Sequence, residues 1–259
     1  MGLVDSLPED ERIILKSPQE IEKMRRSNQI VAEILTEIKK AVRPGITTQA
    51  LDALAEALLS ERKAQSAFKG YNGYPAALCT SVNEEIVHGI PSGRMLQEGD
   101  ILSLDFGAVY EGFYGDAAVT LPIGSISPEA ERLLQVTEEA LYLAIDQARP
   151  GNRLMDVSAA VQRHVESHGF SVVRDFVGHG IGKHLHEKPQ VPNFGIPGRG
   201  VRLKPGMTLA IEPMINAGGF EVVIREDGWT AVTKDRSLSA HFEHSIAVTE
   251  NGPDILSKF

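Results

Sequence analysis

Five side chains in this sequence are of types that could do chemistry together: Asp105, Asp116, Glu212, Glu243 and His179. Taken singly, each acid reads as a solvated side chain or an ion-pair partner, the ordinary state of Asp and Glu. Gathered in one partly buried pocket, four carboxylates cannot all stay ionised without compensation. They would either share protons or bind cations. Two divalent ions would offset the four charges almost completely. Oxygen ligands with one imidazole suit Mn, Fe(II) or Co, and also accept Zn. Two such ions ~3.5–4 Å apart could hold a hydroxide and polarise a carbonyl, the chemistry of peptide hydrolysis. Glu212 has the weakest bland explanation, because it follows a mostly apolar strand and Pro213 stops the ladder immediately after it.

The elements that must position these acids come in two similar sets. Ser17-Pro18-Gln19-Glu20 is a helix start with a capping box, and Arg43-Pro44-Gly45 stops that helix. A second helix carries Leu51, Leu54, Ala55, Leu58 and Leu59 on one face. The stretch Asp100 to Phe106 alternates like a strand, with Leu102, Leu104 and Phe106 opposite Ser103 and Asp105. The second half opens a helix at Ser127-Pro128-Glu129 and closes it at Arg149-Pro150-Gly151. A further helix carries Leu154, Val157, Val161 and Val165, and Met207 to Glu212 alternates as a strand.

Aligning Leu96-Gln97-Glu98-Gly99 with Leu203-Lys204-Pro205-Gly206 places Asp105 on Glu212. Asp116 and its strand then match Glu243 and its strand, and His88-Gly89-Ile90 matches His179-Gly180-Ile181. This reads as an internal duplication over about residues 17–124 and 127–252. Two related halves would pack about a pseudo-twofold axis and bring a pair of acids from each to the centre. Gly107, Gly112 and Gly115 make the connection between Asp105 and Asp116 fit a hairpin. The expected class is α/β (α+β), with two helices and antiparallel strands in each half.

The bulk numbers set limits. At 259 residues, 42% hydrophobic and 24% charged, the chain can bury a sizeable core. A net charge of -9 argues against nucleic-acid binding and fits a cytoplasmic protein. A single cysteine, Cys79, excludes an internal disulfide framework and any multi-cysteine zinc site. The acidic start lacks the features of a signal peptide, and no apolar run reaches the roughly 18–20 residues of a membrane span. Gly2 and Ser6 fit the loose myristoylation pattern and are read as chance.

The segments Ser103-Leu104-Asp105, Gly115-Asp116, Gly178-His179-Gly180-Ile181-Gly182, Ile211-Glu212-Pro213-Met214 and Glu243-His244-Ser245 resemble the motif set of type I methionine aminopeptidases. Tyr71-Asn72-Gly73-Tyr74-Pro75, Val87-His88-Gly89-Ile90-Pro91 and Thr233 to Ala240 extend the likeness over about residues 17–252, leaving 1–16 as an N-terminal extension. The resemblance implies the pseudo-symmetric pita-bread fold in one catalytic domain, 17–259, and removal of an initiator methionine that precedes a small residue. It implies two divalent ions, Asp105 chelating one, Asp116 and Glu243 bridging both, and His179 and Glu212 completing the second. It gives His186 the stabilisation of the developing oxyanion, Glu212 proton shuttling, and His88 a place by the substrate backbone on the leaving side. It surrounds the methionine side chain with Phe68, Tyr71, Tyr74, Cys79, Leu185 and Trp229, residues that would otherwise be ordinary core. It also implies a monovalent cation near Asn83 and Ser239, nascent N-termini as partners, transient ribosome association, and a cytoplasmic monomer without DNA or membrane partners.

Two residues depart from the family pattern. Leu185 stands where an aromatic is common, and His241 where many relatives carry Gln, on the strand face of Glu243. Of the other histidines, His164 and His168 read as surface residues and His184 has weak motif support. Two competing readings remain. X-Pro peptidases share the fold but carry an N-terminal domain, for which sixteen leading residues leave no room. A non-catalytic relative would have lost ligands, whereas all five stand here.

Overall fold

Helix boundaries follow from the caps. The computed structural model describes residues 12–259, so the Gly2/Ser6 pattern and most of the extension lie outside the described residues. Helix α1, Pro18–Ala41, starts from Ser17, whose hydroxyl accepts the Glu20 amide while the Glu20 carboxylate accepts the Ser17 amide. Helix α2, Thr48–Glu61, is capped by Thr47. In the second half Ser127 caps α3, Pro128–Gln147, and α4 runs Leu154–Ser167. The helix pairs therefore recur in the order the duplication predicts.

A nine-stranded antiparallel sheet carries the chemistry. Its order is Gln65–Ser66, Ile101–Tyr110, Phe113–Pro122, Glu243–Thr249, Thr208–Ile211, Gly178–Gly180 and Glu187–Val191; Leu78–Val82 and Gly252–Ile255 pair alongside. The predicted hairpin is present, and its two-residue turn is Glu111-Gly112, both at positive φ (48° and 79°), the primed geometry that suits strand twist.

Alternation sorts the two faces. Leu102, Leu104, Phe106, Ala117, Val119, Leu209, Ile211, Ile246 and Val248 join one core cluster with the apolar stripes of all four helices. The cluster includes residues of both halves, from Ile30 to Val248. The opposite face carries Asp105, Asp116, Glu243 and His179, with only small residues between them. In register, Asp105 pairs with Ala118 and Ala118 with Glu243; on the next rungs Gly107 pairs with Asp116 and Ala210 with His179. Gly115 has no room for a Cβ, which would lie 2.8 Å from the Asn28 backbone nitrogen, so α1 packs directly under the strand bearing Asp116.

The second half is the less regular. Its acid strand, Thr208–Ile211, ends one residue before Glu212, and after Pro213 the chain enters a separate three-stranded sheet through Met214–Asn216. His88 also differs from His179. It follows strand Glu85–Val87 of another small sheet and sits at φ 61°, a strained conformation for a non-glycine residue that commonly marks functional positions. The two histidines correspond in sequence but not in backbone setting.

Candidate active site

The five predicted ligands converge on one cavity of about 190 Å³, which Phe68, Tyr71, Tyr74, Cys79, His88, Leu185, His186 and Trp229 also line. Ligand atoms of Asp116, His179 and Glu243 all lie within 4.8 Å of one another. His179 Nε2 stands 3.5 Å from Glu212 Oε1 and 4.0 Å from Asp116 Oδ2. Three carboxylate oxygens are buried with no protein partner: Asp105 Oδ1, Asp116 Oδ1 and Glu243 Oε1. Orphaned acceptors of this kind are costly unless something cationic meets them.

Electrostatics point the same way. Burial, then the neighbouring acids, pushes the carboxyls of Asp116 and Glu243 well above the usual carboxylate range. Burial holds Asp105 up at about 7 and Glu212 at about 8. His179 is lowered by burial to about 3, so its ring is neutral. Its Nδ1–H donates to the Gly180 carbonyl at 2.9 Å, which leaves the Nε2 lone pair aimed at the acids. A cage of oxygens and one neutral imidazole fits divalent cations, and Asp116, His179 and Glu243 bring ligand atoms together for one.

The residues expected to bind substrate line the same cavity. Phe68, Tyr74, Cys79 and Leu185 are buried in an apolar cluster separate from the main core, with Tyr71 and Trp229 packed against it. Cys79 pairs in register with Asp105, and burial pushes its thiol up, so it is a small apolar wall and not a nucleophile. His88 lies edge-on to Phe176 and Trp229, and burial lowers its pKa to about 4. Leu185 lines the cavity.

His186 stands at the solvent-facing mouth. Its Nδ1 is 2.7 Å from the Tyr71 hydroxyl and its ring lies 4.4 Å from that of His179. His241 is fully inside, with both ring nitrogens unpartnered and Nε2 3.6 Å from Glu212 Oε2. Burial lowers its pKa, so it is a neutral ring beside the acids. His184 is exposed and lines the neighbouring cleft, while His164 sits on α4, paired to Glu139 on α3, and His168 caps the C-terminal end of α4. Asn83 and Ser239 do meet, through a direct bond from the Ser239 amide to the Asn83 carbonyl at 2.9 Å.

Sequence reasoning missed several supporting residues. Tyr71 was placed only at the methionine pocket, yet it also orients His186. Asn28 is buried on α1, and its side-chain oxygen accepts the Asp116 amide at 3.3 Å. An Asn among the apolar positions of an amphipathic helix was the available signal. Arg94 and Arg225 both pair with buried Glu85 below the His88 loop, and no local pattern links them.

Comparison with known proteins agrees with this geometry. The sequence pattern of metallopeptidase family M24 matches residues 22–250, and the chain belongs to that family. It is 52% identical over 246 residues to methionine aminopeptidase 1 of Bacillus subtilis (strain 168), covering 95% of this chain and 99% of that one. The crystal structure of methionine aminopeptidase from Thermotoga maritima superposes with a TM-score of 0.94 at 52% identity, covering 95% and 100% of the two chains. The prolidase of Pyrococcus horikoshii OT3 shares the fold at TM-score 0.78, with 22% identity and 64% of its own length covered. The architecture is the pita-bread fold expected from the sequence. Among the described residues no helix is long and apolar enough to cross a membrane.

Proposed function

We propose that this chain is a methionine aminopeptidase, which hydrolyses the first peptide bond of polypeptides whose initiator methionine precedes a small residue. The observation that carries this is the coincidence of two features in one cavity. Orphaned, buried carboxylate oxygens form its floor, and an apolar enclosure of Phe68, Tyr74, Cys79, Leu185 and Trp229 walls it. Asp105, Asp116, His179, Glu212 and Glu243 would hold the divalent ions, with the ligand atoms of Asp116, His179 and Glu243 already within 4.8 Å of one another. Such ions, of Mn, Fe(II), Co or Zn, supply a nucleophile at neutral pH and polarise the scissile carbonyl.

The chain's own groups do the rest. The enclosure receives the methionine side chain and excludes water from it. Tyr71 donates its hydroxyl hydrogen to His186 Nδ1, which leaves Nε2–H free to donate to the developing oxyanion. Glu212 takes a proton from the nucleophile and returns it to the leaving amine. His88, neutral and held by its aromatic neighbours, aligns the substrate backbone on the leaving side. The reading also carries a monovalent cation near Asn83 and Ser239, whose backbones are joined by a bond from the Ser239 amide to the Asn83 carbonyl at 2.9 Å. The reading carries with it nascent chains as substrates, transient ribosome association, a cytoplasmic setting and a monomeric enzyme.

The test is mass spectrometry of peptide digests. Met-Gly-X and Met-Ala-X peptides should lose methionine and Met-Lys-X should not, with activity removed by chelation and restored by Mn or Co. Protein that releases no methionine under any divalent metal would sink the proposal.

A further inference from the structure

Outside the metal cage, one buried ion pair joins the start of the described chain to the loop that carries His186. Lys16 Nζ meets Glu187 Oε2, and the two side chains are 3% and 5% exposed. Lys16 is also tied down by its backbone: its amide donates to Gly206 O at 2.7 Å, and Nζ donates to Ile14 O at 3.2 Å. The other carboxylate oxygen of Glu187, Oε1, accepts the His184 amide at 3.1 Å. Gly182 closes the same turn, its amide donating to His184 O at 3.1 Å, and Tyr114 N donates to Gly182 O at 2.8 Å. A Cβ on Gly182 would lie 2.3 Å from Lys16 Cε and 2.6 Å from Glu187 Oε1. Gly182 lacks a side chain where this pair sits, which gives the second glycine of the His-Gly-Ile-Gly motif a physical reason.

We infer that Lys16 and Glu187 form a clasp that positions His186, holding the turn at 182–187 so that the imidazole stays against Tyr71 and the cage. The chemistry is direct. Glu187 is one residue from His186, and its carboxylate is buried, so it needs a cation beside it to remain there as an ion. With Lys16 removed, the Glu187 carboxylate loses its buried partner and turns toward solvent, which weakens its hold on the His184 amide. The residues at 12–16, outside the family-like motifs, thereby become part of the catalytic apparatus. Lys16 touches no substrate; it is a positioning residue. The inference rests on the proposed role of His186 in turnover.

Two readouts test it on the full-length, metal-loaded enzyme. Lys16→Met should lower kcat by about tenfold while changing KM far less, the scale expected when a catalytic group is slightly misplaced. In a His186→Ala background the same substitution should have little further effect on kcat, because the two act as one unit. Hydrogen exchange over residues 180–188 should quicken in Lys16→Met. If Lys16→Met does not fold, Glu187→Gln is carried through the same measurements. Unchanged exchange over 180–188 overturns the clasp whatever His186 does. A loss of kcat that persists undiminished in the His186→Ala background overturns the positioning role. His186→Ala turning over like the wild type overturns the reading of His186 and the catalytic half of this proposal.

Discussion

Gly107→Ala tests whether the apolar enclosure and the metal cage are separable. Gly107 lies on the cage face of the sheet, in register with Asp116, where a side chain would project toward the ring of Phe68. An added Cβ would stand 2.7 Å from Phe68 Cε1, 2.9 Å from Ala67 Cβ and 3.2 Å from Phe68 Cζ. Ordinary carbon contacts lie at about 3.5–4.0 Å, so the ring must retreat by roughly 1 Å. Phe68 is 8% exposed and its backbone is held through the Ala67 amide bond to Gly107 O at 3.0 Å, so the ring has to tilt into the cavity. Overpacking of this size costs about 1–3 kcal/mol. With about half of that on fold stability and half on the substrate, kcat/KM for a Met-Gly-X peptide should drop by roughly 2–15-fold, at about 1.4 kcal/mol per tenfold.

The control is a cycle with Phe68→Leu, whose shorter side chain has no atom at the ring edge. The double variant should come much closer to Phe68→Leu alone in kcat/KM than Gly107→Ala does to the wild type, because the clash with the ring edge is gone and only the 2.9 Å approach to Ala67 Cβ remains. Metal affinity, read by titration of the metal-free protein, should stay near the wild-type value throughout. If Gly107→Ala instead loses metal while a saturating metal concentration restores normal kcat/KM, the added methyl acts on Asp116, and the separation of enclosure from cage is wrong.

Asp116→Asn and Glu243→Gln should each lower turnover by more than about 100-fold with the circular dichroism unchanged. Losing an outer-shell partner already costs about 10–100-fold, and these are direct ligands; bound metal at the wild-type level would contradict the assignment. Because burial raises all four carboxyl pKa values, the metal-free protein holds protons near neutral pH that bound metal must displace. Affinity should therefore fall as pH falls, and calorimetric enthalpies of metal binding should vary with the ionisation enthalpy of the buffer; buffer-independent enthalpies would refute this. For His88 the folded pKa of about 4 lies below the ordinary 6.5, so the unfolded chain binds more protons between those values. Its contribution to stability is complete above pH 6.5 and lost as pH falls toward 4. In metal-free protein, urea unfolding at pH 7 and pH 4.5 should show His88→Asn losing less stability than the wild type, by on the order of 2 kcal/mol. Parallel losses would remove His88 as the source.

The shared face of the acids was legible because sheet chemistry has a period of two. An acid at Asp105, with Leu102, Leu104 and Phe106 in the opposite row, can only face away from the core. The same argument fixes Asp116 against Ala117 and Val119, and Glu243 against Phe242 and Ile246. The capping box at Ser17 and the Ser127 cap made the helix starts readable for an equally local reason. What could not be read is what arrives from far along the chain. Tyr71 meets His186, Asn28 meets the Asp116 amide, and Lys16 meets Glu187, and each contact crosses elements whose separation is set by packing. No periodicity encodes such a pair.

The duplication was read from acids, and the structure shows where its symmetry stops. Asp105, Asp116 and Glu243 stay in regular strands, while Glu212 stands just past a strand end, where Pro213 diverts the chain. Small residues complete the arrangement: Gly107, Ala118 and Ala210 occupy the rungs between ligands, so that long carboxylates lean inward with nothing between them. A larger residue at Ala118 or Ala210 would reach into the space between the acids, whereas a methyl at Gly107 meets Phe68 and Ala67 first. The asymmetry of the histidines has the same kind of cause. His179 is fixed in a strand, neutral and aimed at the acids, whereas His88 stands on a strained loop among aromatic rings. The regular half of the pair suits a ligand. The irregular one leaves that flank of the cage to a substrate backbone.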